Sequence, residues 1–534
     1  MRSKLLLRVG ISALAAALIA FSPAAAQEKG GTLVTVVDPE PASLNLYMTV
    51  AGNVCPVACQ VYEGLVSYDY ELNPVPALAE SWEVSEDGLT VTFKLREGVT
   101  FHDGSSFTSA DVAYSFMEIL KPFHPRGSVV FADLEAVETP DDYTAVFKLS
   151  QPAPYMMSAL SALDAPIVSA ALFEGTDPAS NPTANAPIGT GPFKFVDWER
   201  GQYIRMDRNE NYWAEGKPYL DTVVARFIPD AGTRTAALET GEVHFAGSNT
   251  VNTADVARLR ENPDLDVTED GYQMTSVISQ IEFNTQRAPF DDQRVRQAIA
   301  YAIDRQFIVD NVLYGLGAIA TGPLSSNFAP SGLYTDDVRR FDVADRLEIA
   351  NALLDEAGHP RGEDGVRFAA TIDVNPFGEQ WVRQGEYLKQ ALAEVGIDIT
   401  LRTQDTATWV RRIYTDYDFD MNTVLFANLS DPVIGMHRQF LTSSIQPGVG
   451  FVNATRYSNP VVDKLLEEAK VAVDPARRAE LYHEVQQIIV EESPNVFLTE
   501  IKYVSVSSKR FQNTTSNALG PLAPFTEASL ATAN

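Results

Sequence analysis

The chain has 534 residues but only two cysteines, Cys55 and Cys59, and six histidines. The histidines (His102, His124, His244, His359, His437 and His483) are scattered. Two cysteines with no histidine nearby fall short of a four-ligand zinc site. No His-Glu-x-x-His helix, no Gly-x-Ser-x-Gly elbow and no Gly-Lys-Ser/Thr phosphate loop occurs, which removes the commonest metalloprotease, serine-hydrolase and nucleotidase signatures. Positive charge is scarce as well. There are 41 Lys and Arg against 71 Asp and Glu, a formal net charge of −30. Such a chain repels phosphate backbones, so nucleic acid is not expected as a partner. Nor is there a membrane span: the run Ile11 to Phe21 is shorter than the ~20 apolar residues a spanning helix needs, and no later segment is apolar enough.

What is present at the start is an export signal. Arg2, Lys4 and Arg8 precede that short apolar run, and Ala24-Ala25-Ala26 supplies the small residues of a cleavage site. No cysteine stands near it, so no lipid anchor is expected. The chain reads as a soluble exported protein. In an oxidising compartment Cys55 and Cys59 could pair, but their i, i+4 spacing is poor for a disulfide within a regular helix. Pro56 places them at a helix start, leaving a disulfide and two free thiols as alternatives. At this length two or three domains are expected, and 45% hydrophobic residues with 10% aromatics describe a packed chain.

The pattern alternates between strands and helices. Gly31 to Val37 opens as a strand, and a helix is expected from about Val54 to Tyr62. Val91, Phe93 and Leu95 alternate with polar residues, as do Ala145, Phe147 and Leu149. Asp87-Gly88 marks a turn, and Thr108-x-x-Asp111 fits a capping box. The segment 66–187 thus reads as an α+β unit inserted in another domain. Asp291 or Asp292 can cap a helix carrying Val295, Ile299 and Ala302 on one face, and Asp474-Pro475 opens another. Val496 to Val506 reads as one final strand. Asp416, Asp418 and Asp420 imitate half an EF-hand loop, but Met421 and Ala427 stand where it needs Gly and Glu.

Several longer runs resemble one family. They are Ala77 to Phe116 (with its Gly-Val-Thr-Phe-His-Asp-Gly core), Gly189-Thr-Gly-Pro-Phe193, Asn211-Tyr-Trp213, Phe290 to Ala298, Leu353 to Pro360 and Tyr457-Ser-Asn-Pro460. Together they identify the chain as similar to the bacterial extracellular solute-binding proteins of family 5, the oligopeptide-, dipeptide- and nickel-type receptors of ABC importers. The resemblance implies an α/β fold of two lobes, the cluster C periplasmic-binding-protein type, with an extra β-rich subdomain in the first lobe. The implied map is signal peptide 1–26, first lobe 27–65, 188–283 and 499–534, inserted subdomain 66–187, and second lobe 284–498. Two strands near Ser279–Asn284 and Val496–Val506 would cross between lobes. It further implies a non-enzymatic monomer in the periplasm of a Gram-negative bacterium, without cofactor or metal. Its partners would be a peptide-sized solute (a peptide, an opine-like conjugate or an oligosaccharide) and the permease subunits with their ATPases. A periplasmic hydrolase is the alternative reading.

By the same resemblance the ligand would meet Asn45 and Tyr47 from the first lobe. From the second it would meet Asn375, Phe377 and Trp381 on one loop, and Phe426, Asn428 and Asp431 on another. Peptide-binding relatives carry an aspartate for the peptide ammonium at the position of Asn428, and dipeptide-type relatives an arginine near Asn375. Two asparagines there imply a ligand held without those terminal charges. The export signal predicts a mature chain beginning at Gln27. N-terminal sequencing of the periplasmic fraction should read that end, and an intact Met1 in the inner membrane would contradict it.

Overall fold

The computed structural model describes residues 29–247 and 250–531. The signal segment 1–26 and the expected new end at Gln27 lie outside the described residues. Two large mixed sheets and one small antiparallel sheet organise the rest. The first large sheet has seven strands, with Thr32–Val37 near its middle, parallel to Thr222–Phe227. The second has six, with Val277–Phe283 between Asn495–Ile501 and Met421–Ala427. The small sheet, Ala79–Val84, Thr90–Leu95, Leu134–Asp141 and Thr144–Leu149, lies within the 66–187 segment.

Turn and cap chemistry sets many of these elements. In the small sheet Asp87 accepts from Ser85 Oγ (2.6 Å) and Leu89 N (3.0 Å), while Gly88 takes the left-handed backbone. The Thr108–Asp111 capping box opens Ser109–Tyr114. Asp292, not Asp291, caps Gln293–Ala302 by accepting from Arg294 N. Asp474 and Pro475 start Pro475–Glu492. The helix expected over Val54–Tyr62 is only Cys55–Ala58, and the two sulfurs at its ends are bonded.

The final strand differs from the sequence reading. Asn495–Ile501 pairs in the second sheet, whereas Ser505–Ser508 pairs in the first. One extended run therefore changes sheets across 502–504. The earlier run does the same, with Leu265–Thr268 in the first sheet and Val277–Phe283 in the second. Val277–Phe283, assigned by the sequence map to the first lobe's 188–283 segment, thus belongs to the second sheet. Periodicity could not reveal the change, because all seven of its residues are buried and a strand buried on both faces does not alternate.

The family-like motifs prove to be packing devices. A Cβ on Gly191 would lie 2.6 Å from the Gln60 carbonyl oxygen, so only glycine permits that close approach. His102 Nε2 is bonded to the Gly191 carbonyl, 2.9 Å away. Thr190, Tyr212 and Trp213 all donate to the buried carboxyl of Glu63, at 2.8 to 3.1 Å. Burial lifts that carboxyl to about 7 against the pull of these donors.

The central strand of the second sheet carries buried polar residues, each with a partner. Ser279 meets Gln384, Gln280 meets Gln439, and Glu282 accepts from Asn422 Nδ2 at 2.9 Å. Burial pushes Glu282 up to about 8, opposed only by Asn422. Its folded pKa thus lies above its unfolded one, so the stabilising protonated form is present at acid pH and is lost as pH rises from about 4.5 through about 8. Glu282→Gln keeps the neutral shape and removes the titration. Its melting temperature relative to wild type should therefore climb as pH rises across that window. Parallel melting curves for the two proteins would refute the assignment.

Candidate functional site

Two runs of chain, 269–276 and 502–504, link the large sheets, and beside them lies a cavity of about 400 Å³. Its wall includes Asp38, Asn53 and Phe245 from the first sheet's side, and Tyr272, Thr275 and Tyr503 from the linking runs. Away from the linkers the inserted subdomain meets the second sheet's helices directly. Its segment Pro154–Ala159 packs on Pro432–Gly435 and Pro460–Val471. Val433 and Ile434 join the inserted subdomain's apolar core. Lys470 Nζ reaches Asp133 Oδ2 at 3.1 Å, and Asp133 accepts from Tyr155 OH at 2.9 Å. The cleft is thus closed.

The eight residues singled out by resemblance do not form one surface. Tyr47 has no exposed area and stands edge-on to Phe173 and Tyr62, as a core residue of the inserted subdomain. Asn45 begins the turn Leu46–Met48 and accepts from Ser43 Oγ. Trp381 is buried in the second lobe's main core. Phe426 belongs to a separate cluster with Trp409, Tyr414 and Phe419. Phe377 is 46% exposed and approaches the rings of Trp409 and Phe451. Asn375 accepts from Phe377 N at 2.8 Å, while its buried Nδ2 has no partner.

The 428–440 loop is held by several specific contacts. Asn428 is fully buried, and both ends of its amide are engaged: Oδ1 accepts from Ser325 N at 2.8 Å, and Nδ2 donates to the Pro323 carbonyl at 2.9 Å. Its side chain joins two loops of one lobe. Asp431 caps Pro432–Gly435 and is paired in bidentate fashion with Arg478, at 2.7 and 2.9 Å. Gly435 is dictated by contact, since a Cβ there would lie 2.0 Å from the Asn428 carbonyl oxygen. Asp416, Asp418 and Asp420 of the acidic triplet are paired with Arg411, Arg412 and Arg287 respectively. Among the described residues no group of three or more His, Cys, Asp or Glu side chains could hold a metal ion.

Sequence reasoning missed a polar group on the closure face. Arg126 of the inserted subdomain pairs with Asp164. His124 is buried beside them. Burial drops its imidazole to about 4, its Nδ1 accepts from Arg126 N, and its Nε2 has no partner. From the second lobe come Arg438, stacked 5.2 Å over the Phe426 ring, and Tyr414, whose buried hydroxyl has no partner. In the sequence Arg438 is one of 41 basic residues with no distinguishing motif. Only the tertiary arrangement singles it out.

These features have counterparts in known proteins. The family described as bacterial extracellular solute-binding proteins, family 5 Middle, matches residues 73–446. Heme-binding protein A of Haemophilus influenzae is 32% identical over 457 residues, 82% of this chain and 80% of that protein. The structure of the oligopeptide-binding protein AppA from Bacillus subtilis with a nonapeptide aligns with a TM-score of 0.76 at 28% identity. The match covers 95% of this chain and all of that one. The structure of AgaA from A. tumefaciens R10 with agropinic acid aligns with a TM-score of 0.73, also at 28% identity, over 94% of this chain and 99% of that one.

The buried Asp431–Arg478 pair generates a direct expectation. Removing one partner strands the other charge, at a cost of about 3–5 kcal/mol. Asp431→Ala should lose stability of that order in urea denaturation, and Asp431→Ala with Arg478→Met should recover most of it. A single variant within about 1 kcal/mol of wild type would mean the pair is not structurally important.

Proposed function

The chain belongs to the bacterial extracellular solute-binding proteins of family 5, and from that membership we propose the particular kind of receptor it is. As a solute-binding receptor of an ABC importer it captures a solute between its lobes and delivers it to a membrane permease. The solute we infer is peptide-sized: a peptide, an opine-like conjugate or an oligosaccharide. Relatives of similar fold have been seen with a nonapeptide and with agropinic acid, which brackets that size. The observation that carries the reading is a closed cleft beside only two linking runs. Pro154–Ala159 from one side packs on Pro432–Gly435 and Pro460–Val471 from the other. Such a contact face can open by rotation about the linkers, the hinge type of domain motion.

We place the exported chain in the periplasm of a Gram-negative bacterium, cleaved after Ala26, as a monomer. The first lobe comprises 27–65, the segment after the inserted 66–187 unit, and the C-terminal part. Among the eight ligand residues proposed from resemblance, Phe377 and Asn375 are the best supported. Phe377 offers an exposed ring, and Asn375 an amide nitrogen lacking a partner. Asn428 and Asp431 we assign to holding the loop instead. No chemical step is proposed.

The expected behaviour is closure on binding, a population shift driven by contacts made only in the closed state. Small-angle scattering of the mature protein should give a smaller radius of gyration with the solute that co-purifies with it, and mass spectrometry should recover that solute unaltered. An unchanged radius at saturation would contradict a closing receptor. Conversion of the solute would favour the hydrolase instead.

A further inference from the structure

Among the described residues, three ion pairs hold buried or half-buried charges at the closure face. Asp133 has Lys470, Asp164 has Arg126, and Asp431 has Arg478. Arg438 has none. Its Nε donates to the Gly435 carbonyl at 3.1 Å, and its two terminal nitrogens have no hydrogen-bond or ion-pair partner among the described residues. The charges acting on it make this worse, since Arg126 repels it from across the cleft. Tyr414 feels both Arg438 and a further buried acid, Glu282. Glu282 does not supply the missing charge, because burial lifts it to about 8 and it is protonated at neutral pH. His124 is neutral there too. Withdrawal from water drops Arg438 to about 10, the direction expected of a cation losing hydration without a counter-ion. Beside it, the buried Tyr414 hydroxyl is also without a partner.

A half-buried guanidinium without a counter-ion is not a default, even in a protein of net charge −30. It is a fork of planar donors, suited to bidentate pairing with a carboxylate. We propose that Arg438 binds a carboxylate of the solute, with the Tyr414 hydroxyl as a further polar contact, so that the receptor selects anionic solutes. The proposal rests on the receptor reading and specifies its ligand class. The charge count distinguishes among anions. Arg126 is already neutralised by Asp164, leaving one uncompensated positive charge, which one carboxylate balances. A phosphate monoester, at about −1.5 to −2, would leave negative charge buried.

The test uses pairs of probes on the mature protein: peptide acids and N-carboxyalkyl amino acids, each against the same molecule with every carboxyl converted to a primary amide. Calorimetry should find the acids bound at least tenfold more tightly, the scale of one charge-assisted pair. Arg438→Gln should erase that preference while leaving the amides as they were. Amides bound as tightly as their acids, or a variant that keeps the preference, would overturn the proposal. A second measurement needs no ligand. Closing the empty cleft desolvates Arg438, so Arg438→Met should shift the unliganded protein toward the closed form and give a smaller radius of gyration than wild type. Equal radii would overturn the proposal even if no probe binds. A wild type that closes on neutral solutes alone defeats only the anion site. One that closes on nothing, its own co-purified solute included, defeats the receptor reading.

Discussion

The arrangement of the cleft depends on one buried ion pair, Asp431 with Arg478. The acid caps the short helix Pro432–Gly435 through Val433 N and at the same time accepts both nitrogens of the guanidinium fork. The base is held in turn by the Ala469 carbonyl. The pair therefore fixes the loop to the helix Pro475–Glu492, and through the Ala469 carbonyl to the neighbouring helix Pro460–Val471, which carries Lys470 to the closure face. Leu429 adopts a left-handed backbone just before, and Gly435 rests on the Asn428 carbonyl just after. From this pinned turn Val433 and Ile434 enter the inserted subdomain's core, and Arg438 follows within one further turn. A buried pair of this kind adds little net stability over an apolar replacement. Its effect here is positional, because every contact across the cleft from the second lobe's loop starts from that turn.

Magnitudes decide how the cleft behaves. Burying Val433 and Ile434 on closure contributes ~1.5–3 kcal/mol each. The Lys470–Asp133 pair retains partial exposure and adds little. Against these stands the desolvation of Arg438, several kcal/mol for an ion without a partner. The opposing effects are of similar order, so the unpaired Arg438 offsets part of the apolar drive to close empty. A ligand then needs only modest differential affinity to move the populations. Apolar contacts alone would hold the receptor shut without cargo. The uncompensated cation prevents that, and the same group that opposes empty closure favours closure around an anion.

How much of this was legible in the sequence varies with the range of the interaction. Local chemistry was readable: the Thr108–Asp111 box, the Asp87-Gly88 turn and the Asp474-Pro475 cap each involve residues within a few positions of one another. The family-like motifs were visible as patterns, but their purpose was not. Arg96, Thr190 and the adjacent Tyr212 and Trp213 come from three distant stretches, yet the last three residues bond Glu63, and Arg96 stacks on Trp213 at 4.1 Å. Glu63 itself stands in none of the quoted motifs. The crossing strand was read as one element because 502–504 carries no turn residue, and an extended chain can change sheets without breaking pattern. Asn428 and Asp431 were read as ligand contacts, whereas their partners in the fold, Ser325 and Arg478, could not be read from the sequence. Arg438 was invisible because its distinguishing property is the lack of a partner.

The chain's acidity and its proposed preference for an anion are compatible because they act at different distances. A net charge of −30 governs the approach through solvent, where at physiological salt its influence fades over about 8 Å. It gives an anionic solute no electrostatic steering and slows encounter somewhat. Arg438 acts only after the lobes come together, in a region from which water has been withdrawn and where screening is weak. Overall charge therefore bears on solubility and encounter rate, while selectivity is decided by the charge balance of the closed face. That balance is set by pairing within the fold, in which Asp133, Asp164 and Asp431 each neutralise one base and leave a single guanidinium over. An acidic sequence can in this way fold into a receptor whose recognition element is positive, and composition alone gives no warning of it.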